Sequence, residues 1–116
     1  MPDCLFCKIV AGGIPAKKLA ESESAIAIAD IQPQAPLHAL IIPKKHVASL
    51  NELNDEERRN MLPGLYALAD QLAREKNIRE SGYRTVINNQ SGAGQTVFHL
   101  HLHVLGGAQL KGGFGA

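Results

Sequence analysis

A chain of 116 residues, 45% of them apolar, has the size and composition of one domain that needs no disulfide framework. Its formal net charge of +1 offers no strong field to nucleic acid or to an anionic membrane, so neither is expected as a partner. The sequence shows neither a basic start with an apolar run nor a bilayer-length apolar stretch, and we expect a cytoplasmic protein. Its two cysteines would then be reduced thiols or metal ligands.

The first half of the chain predicts a short helix followed by three strands. Asp3 can cap a helix that runs through residues 9–10 and ends at a glycine pair. Residues 19–22 and 25–31 have a hairpin pattern, and isoleucine alternates with alanine along the second of these strands. Residues 37–43 are apolar almost throughout and predict a third strand with a histidine near its start.

The second half predicts one long helix and two further strands. Asn54 is a suitable N-cap, acidic residues follow it, and apolar residues recur at helical spacing to about residue 76. Because Pro63 lies inside this stretch, we expect one helix with a bend. Residues 82–89 predict the fourth strand, and a glycine-bearing loop leads to a fifth strand that begins at Thr96.

These elements together indicate an α+β fold. Runs of strands interrupted by one long helix are typical of an antiparallel sheet, which here has five strands beside one long and one short helix. The sequence shows no internal repeat and no second domain, so residues 1–116 are expected to form a single domain. The glycine-rich tail is predicted to be flexible from about residue 108.

Three histidines stand at alternate positions of the fifth predicted strand: His99, His101 and His103. The apolar residues between and after them would face the core, so the three imidazoles would share the other face of the strand. A single buried histidine in a strand is ordinary packing. Three histidines in register are not explained by packing, because the side chain is costly to bury and titrates near neutrality. The pattern therefore indicates a functional site.

The pattern resembles the signature of the histidine triad (HIT) family, and further blocks of sequence extend the resemblance. These blocks are Asp30-Ile31, His38 with the run from residue 40 to His46, Asn88, and residues 94–97. The match covers nearly the whole chain, from Cys4 to Gly107, and is close to the nucleotide-binding, phosphoramidase-like (Hint) branch. The resemblance implies a HIT-like fold whose sheet is paired across a homodimer.

The resemblance implies that His101 is the nucleophile and forms a covalent nucleotidyl-histidine, which water then hydrolyses. It also implies that a nearby backbone carbonyl holds the other ring nitrogen of His101. A neutral imidazole suits this role, because it can attack phosphorus when its other ring nitrogen is held as a donor. By the same resemblance, His103 and His38 border the phosphate, and one of them helps proton transfer. The hydroxyl of Thr96 would lie near the leaving group, where members of the branch commonly have serine.

The resemblance also implies a purine nucleotide or nucleoside phosphoramidate as the ligand. Asp30 would accept hydrogen bonds from the ribose hydroxyls, and Asn88 would donate one to a phosphate oxygen. Gly94 and Gln95 would bring backbone N–H groups or an amide to the phosphate. Five apolar residues match the family's base pocket, although without the resemblance each would be an ordinary core residue. They are Phe6, Ile9, Ile14, Ile28 and Ile31.

Two cysteines and two histidines suggest a zinc site. Cys4 and Cys7 form a Cys-x-x-Cys pair, which alone fits a redox pair, half a zinc site or two inert thiols. Some histidine triad proteins complete this half-site with two histidines, which here are His46 and His99. Four such ligands suit tetrahedral zinc and close its shell, so the metal would be structural and the chemistry would need none. We then expect loss of both thiols to lower the melting temperature while most turnover remains.

Three classes of function compete for these residues. The first is a purine nucleoside phosphoramidase or nucleotide hydrolase that works through His101 and releases a nucleoside monophosphate. The second is a zinc-dependent hydrolase whose triad holds a catalytic metal, and the third is a non-catalytic nucleotide-sensing or partner-binding module. We favour the first. Gly112 stands where the branch often has an aromatic residue, and Phe114 follows two residues later, so the resemblance does not indicate the leaving group.

Overall fold

The computed structural model describes residues 4–113, which form two helices and one sheet. In chain order the elements are α1 (Leu5–Val10), β1 (Lys18–Glu21), β2 (Ala25–Ala29), β3 (Leu37–Pro43), α2 (Asp55–Glu75), β4 (Tyr83–Val86) and β5 (Leu102–Gly106). Single 3₁₀ turns at Leu50–Glu52 and Ser91–Ala93 precede α2 and follow β4. None of the helices described here is long and apolar enough to cross a membrane.

The five strands form one antiparallel sheet in the order β1-β2-β3-β5-β4, which confirms the predicted α+β architecture. The last strand in the described chain is therefore not at an edge, because β5 pairs with β3 on one side and β4 on the other. In the β3–β5 register, Leu40 lies opposite His103 and His38 lies opposite Leu105. Directly opposed residues project to the same face, so His38 and His103 share one face of the sheet.

The two faces of the sheet are covered by different helices. The face toward α2 carries small and branched side chains such as Ala27, Ile41 and Val104, which pack against buried α2 residues including Leu68. The opposite face carries a second apolar cluster of Phe6, Ile26, Ile28, Leu40 and Ile42, whose aromatic member comes from α1. The isoleucine and alanine side chains of β2 therefore point to opposite faces, as the alternation predicts. His38 and His103 lie on the face that α1 covers.

Helix α2 begins with a complete capping box. The Asn54 side chain accepts a hydrogen bond from the Glu57 N–H, and the Glu57 carboxylate accepts one from the Asn54 N–H. The helix continues unbroken through Pro63, whose ring is exposed to solvent. At Gly64 the helix comes close to the β1–β2 hairpin, since an added Cβ would lie 3.1 Å from Ser24 Oγ.

Several predicted boundaries differ from the structure. β2 and β4 are shorter than predicted, and β5 begins at Leu102 rather than at Thr96. Residues 96–101 lie outside the ladder, and among them the Leu100 N–H donates to the Val47 carbonyl at 2.7 Å. The N-cap of α1 is Cys4, whose sulfur accepts from the Cys7 N–H, whereas the predicted cap residue Asp3 lies outside the described residues.

Candidate active site

His101 lies in the extended run immediately before β5, and its ring has a defined orientation. Nδ1 is 2.8 Å from the carbonyl oxygen of His99. A carbonyl can only accept, so Nδ1 carries the hydrogen and the Nε2 lone pair is free. Burial has the largest effect on the pKa of His101, and it lowers this pKa. The ring is therefore neutral at physiological pH, with an available nitrogen.

A chain of hydrogen bonds fixes His103 and His38 on the same face of the sheet. The Gln34 backbone N–H donates to His38 Nδ1 at 3.0 Å, so the hydrogen of His38 is on Nε2. That nitrogen lies 2.9 Å from His103 Nδ1 and 3.3 Å from the Asp30 carboxylate. His103 therefore accepts at Nδ1 and has its own hydrogen on Nε2. Burial, followed by the charges of His101 and His38, lowers the pKa of His103 to about 4.

The apolar residues predicted for a base pocket do not all lie together. Phe6 is 5% exposed, and its ring meets the His101 ring edge-on at 5.0 Å between centroids. Ile28 and the partly buried Ile9 belong to the same cluster as Phe6. Ile14 is half-buried, and Ile31 is 94% exposed. The structure therefore brings Phe6 to the triad and leaves Ile31 in solvent.

The loop before the triad is held by the side chain of Gln95. Its side-chain amide donates to the Ala48 carbonyl at 2.6 Å, and its oxygen accepts from the Gln90 N–H at 2.7 Å. The backbone N–H groups of Gly94 and Gln95 also donate to carbonyls within the loop. These backbone donors bond within the loop, and their predicted contact with a phosphate stays a prediction.

Two further predicted site residues flank this loop. Thr96 is exposed, and Asn88 is half-buried at the end of the segment that follows β4. Their roles toward a phosphate stay predictions. Gly112, near the end of the described chain, is exposed, and Phe114 lies outside the described residues.

A second group of side chains meets at the N-terminal end of α1. We call it the Cys/His quartet: Cys4, Cys7, His46 and His99. Nδ1 of His99 lies 3.3 Å from Cys4 Sγ, 3.5 Å from Cys7 Sγ and 3.2 Å from His46 Nδ1. A tetrahedral zinc ion would separate two nitrogens by ~3.3 Å and a nitrogen from a sulfur by ~3.6 Å. The observed spacing is close to both values.

The tautomer of His99 also suits a metal ligand. Its Nε2 lies 2.8 Å from the Pro43 carbonyl and must donate to it, so Nδ1 presents a lone pair to the quartet. Both cysteines are free thiols, and burial raises the pKa of the Cys7 thiol. A cation would reverse that effect, since coordination deprotonates a thiol. The donor set therefore fits zinc, as the sequence predicts.

Asp30, His38 and His103 form a second group in which the potential ligand atoms lie within 4.8 Å of one another. Its hydrogen positions do not suit a metal. The Gln34 N–H holds the lone pair at His38 Nδ1, so the Nε2 that faces His103 and Asp30 carries a hydrogen. A ligating nitrogen needs a free lone pair, and gaining one here would cost the hydrogen bond from Gln34.

Comparison with known proteins agrees with this arrangement. A family model described as HIT domain matches residues 11–110. The chain belongs to the HIT family. An uncharacterized HIT-like protein of Chlamydia muridarum is 43% identical over 106 residues, which cover 91% of this chain and 82% of that protein.

Solved HIT structures share both the fold and much of the sequence. A HIT family hydrolase from Legionella pneumophila matches with a TM-score of 0.90 and 49% identity, covering 94% of this chain and 96% of that one. A histidine triad protein from Clostridium difficile matches with a TM-score of 0.94 and 38% identity, covering 98% of each chain.

Some atoms that shape this HIT site belong to the main chain. The carbonyls of His99 and Pro43 and the N–H of Gln34 set the tautomers of three histidines. The family resemblance predicts that a nearby backbone carbonyl holds the second ring nitrogen of His101. Sequence analysis did not identify which carbonyl this is, nor the contacts of His99 and His38, because every residue type except proline carries the same backbone donor and acceptor. The sequence carries one signal for the contact between Gln34 and His38. The turn-forming residues around Gln34 place its N–H near the start of β3.

Proposed function

We propose that this HIT-family chain is a hydrolase that releases a nucleoside monophosphate from a purine nucleoside phosphoramidate through a covalent nucleotidyl-histidine. The observation that carries the proposal is the His101 ring, whose Nδ1 donates to the His99 carbonyl at 2.8 Å. That bond leaves Nε2 as a lone pair on a neutral, partly buried ring, which is the form in which imidazole is nucleophilic. The name of the Legionella relative, a HIT family hydrolase, supports a hydrolytic reaction.

The proposed reaction has two steps. In the first, the Nε2 lone pair of His101 attacks phosphorus, the bond from phosphorus to the amine breaks, and the amine leaves with one proton from solvent. In the second, water attacks the same phosphorus, the bond to Nε2 breaks, and one proton returns to solvent. His103 contributes an N–H at Nε2, because its Nδ1 is occupied by His38. That N–H can stabilise charge on the phosphate or the leaving group, and it can assist transfer of the proton to the leaving amine.

The remaining binding roles are carried over from the family resemblance. Asp30 would hold the ribose, with Oδ2 next to His38 and Oδ1 already accepting from the Gln32 N–H at 2.8 Å. Phe6 and Ile28, which belong to one buried cluster beside His101, would contact the base. The active form would be a homodimer, as in the family.

The quartet would hold zinc through its two thiolates and two Nδ1 atoms. When bound, zinc would cross-link α1, the segment after β3 and the run before β5, and its four protein ligands would leave no open coordination position. His101 and His103 lie outside this shell.

The decisive experiment traps the intermediate. Protein is mixed with a nucleoside phosphoramidate labelled in its phosphate, quenched within one turnover, and digested for peptide mapping. We expect acid-labile label on the peptide containing His101, and none when His101→Ala is treated alike. Circular dichroism should show that the variant is folded.

Two other functions give different results in the same experiment. A zinc-dependent hydrolase would turn over substrate without label and lose activity on chelation with the fold retained. A non-catalytic binding module would bind the nucleotide with neither label nor turnover. Either result would remove the covalent mechanism.

A further inference from the structure

His99 takes part in two sites through two different groups. Its ring faces the Cys/His quartet, where Nδ1 lies 3.2 Å from His46 Nδ1 and 3.3 Å from Cys4 Sγ. Its backbone carbonyl accepts the 2.8 Å hydrogen bond from His101 Nδ1. A displacement of the His99 backbone therefore moves the acceptor that orients the His101 ring.

The backbone around that carbonyl is tied to the segment that carries another member of the quartet. The His99 side chain is fully buried, and its Nε2 bonds the carbonyl of Pro43, the last residue of β3. The next residue, Leu100, donates its N–H to the carbonyl of Val47, which follows His46 in the sequence. Coordination of His46 and His99 to one cation would hold these two segments together on either side of the carbonyl.

Helix α1 supplies a second contact between the quartet and His101. Phe6 lies between Cys4 and Cys7 in the sequence, and its ring is edge-on to both the His101 ring at 5.0 Å and the His99 ring at 6.0 Å. A helix of six residues has little stability of its own. Its two cysteines, held in the quartet, would therefore keep the Phe6 ring against His101.

We propose that the Cys/His quartet positions His101 for catalysis, because its coordination of a metal holds the His99 carbonyl and the Phe6 ring in place. The inference rests on the proposed function and adds a positioning role to a site that the sequence assigns only to stability. Without a common cation the quartet loosens and the His101 ring loses its acceptor. It can then take the tautomer in which Nε2 carries the hydrogen and cannot attack phosphorus.

The effect is expected to be larger on the chemical step than on binding. A misplacement of about 1 Å at a reacting group can cost on the order of a hundredfold in rate. We therefore expect loss of the metal to lower kcat by about tenfold to a hundredfold. KM should rise by a smaller factor, because no quartet side chain is assigned to the nucleotide but Phe6, which α1 carries, is assigned to its base. The sequence alone leads to the opposite expectation, that most turnover survives.

The test compares two quartet variants with a matched control. Cys7→Ser and His46→Gln each remove one ligand without changing His99 or Phe6. Leu68→Ala lowers stability from the α2 side of the sheet, away from the quartet, and Ala69→Gly replaces it if that chain does not fold. Metal content, kcat and KM are measured for each protein at a temperature where all are folded, before and after adding Zn²⁺.

A second measurement needs no substrate. Nitrogen NMR of labelled histidine reports which ring nitrogen of His101 carries the hydrogen. We expect the hydrogen on Nδ1 in the metal-loaded parent and in Leu68→Ala, and a mixture of tautomers in the two quartet variants. Saturating Zn²⁺ should restore the parental pattern in any variant that still binds the ion.

The outcomes separate the positioning role from the catalytic proposal. A metal-free quartet variant with parental kcat and a parental His101 tautomer would overturn the positioning role, as would a parent that binds no metal. An equal loss of kcat in Leu68→Ala would show that stability alone is responsible. If the parent turns over no phosphoramidate, the proposed function fails, and the NMR comparison still decides whether the quartet orients His101.

Discussion

At the scale of single residues, chemically identical side chains have different roles because different main-chain atoms contact them. His99 and His101 both donate to carbonyls, yet through opposite ring nitrogens, so His99 offers Nδ1 to the quartet and His101 offers Nε2 to the active-site face. His38 instead accepts a hydrogen bond from a backbone N–H at Nδ1 and donates one from Nε2 to His103. The chain thereby presents a free lone pair at His101 Nε2, an N–H at His103 Nε2 and a lone pair at His99 Nδ1 with one residue type.

The first prediction at this scale concerns the nucleophile. His101→Ala should lower kcat/KM for a nucleoside phosphoramidate by a thousandfold or more, since a lost covalent step is costly. The fold should survive, because the His101 ring is only partly buried. Steady-state kinetics together with circular dichroism check both parts. Activity within tenfold of the parent would remove His101 from the nucleophile role.

A second prediction uses the pKa of His103, which burial lowers to about 4 from an unfolded value of 6.5. Between these pH values the unfolded chain binds more protons than the folded one, so stability falls as pH falls. The free energy of unfolding should fall by on the order of 2 kcal/mol between pH 6.5 and pH 4. Above pH 7, His103 should not change it.

Denaturant unfolding of the parent and of His103→Gln at matched metal content isolates this contribution. The variant should lose less stability on acidification, because glutamine does not titrate. Parallel stability curves for the two proteins would contradict a lowered pKa at His103. The comparison is between variants, so protonation of the quartet affects both curves alike.

At the scale of elements, helix α2 is predicted as one helix with a bend at Pro63. The single helix is confirmed, since α2 is continuous from Asp55 to Glu75. Its buried residues, from Leu65 to Ala73, pack on the sheet and hold the helix together on the far side of the proline. Tertiary packing, which single-residue propensity does not include, decides the outcome here.

Pro63→Ala should therefore stabilise the protein. Proline in a helix interior removes a hydrogen bond to the carbonyl four residues earlier, which alanine would restore. The side chain at this position is exposed, so no core contact is lost. We expect a gain of about 1 kcal/mol or more in the free energy of unfolding. Thermal and denaturant melts of the variant measure it, and a lower melting temperature would show that the proline is needed.

β5 shows where sequence pattern is sufficient and where it is not. The alternation correctly places Leu102 and Val104 in the core and His103 on the opposite face. It also predicts a strand from Thr96, although pairing starts only at Leu102. Alternation of apolar and polar residues indicates an extended backbone, but it does not indicate which carbonyl each backbone N–H contacts. Here the Leu100 N–H donates to the Val47 carbonyl. The quartet, whose members come from three distant segments, was found through the family resemblance and not through spacing.

At the scale of the whole molecule, the sheet has an edge strand that a partner could cover. β4 pairs with β5 on one side and ends the sheet on the other. Exposed edges favour association, and the family resemblance implies a homodimer. Light scattering at micromolar concentration should give a mass near twice the 12.4 kDa of the chain. A mass that stays at that of one chain across a concentration series would contradict the dimer.

The position of β5 between β3 and β4 also governs when this fold can form during synthesis. A ribosome that has made every residue up to His101 has delivered four of the five strands but not the one that joins β3 to β4. Until then β3, with buried-type side chains such as Ile41 and Ile42, has an unpaired edge. A nascent chain stalled in this interval therefore has an aggregation-prone strand edge exposed, and the edge stays unpaired until β5 has been added.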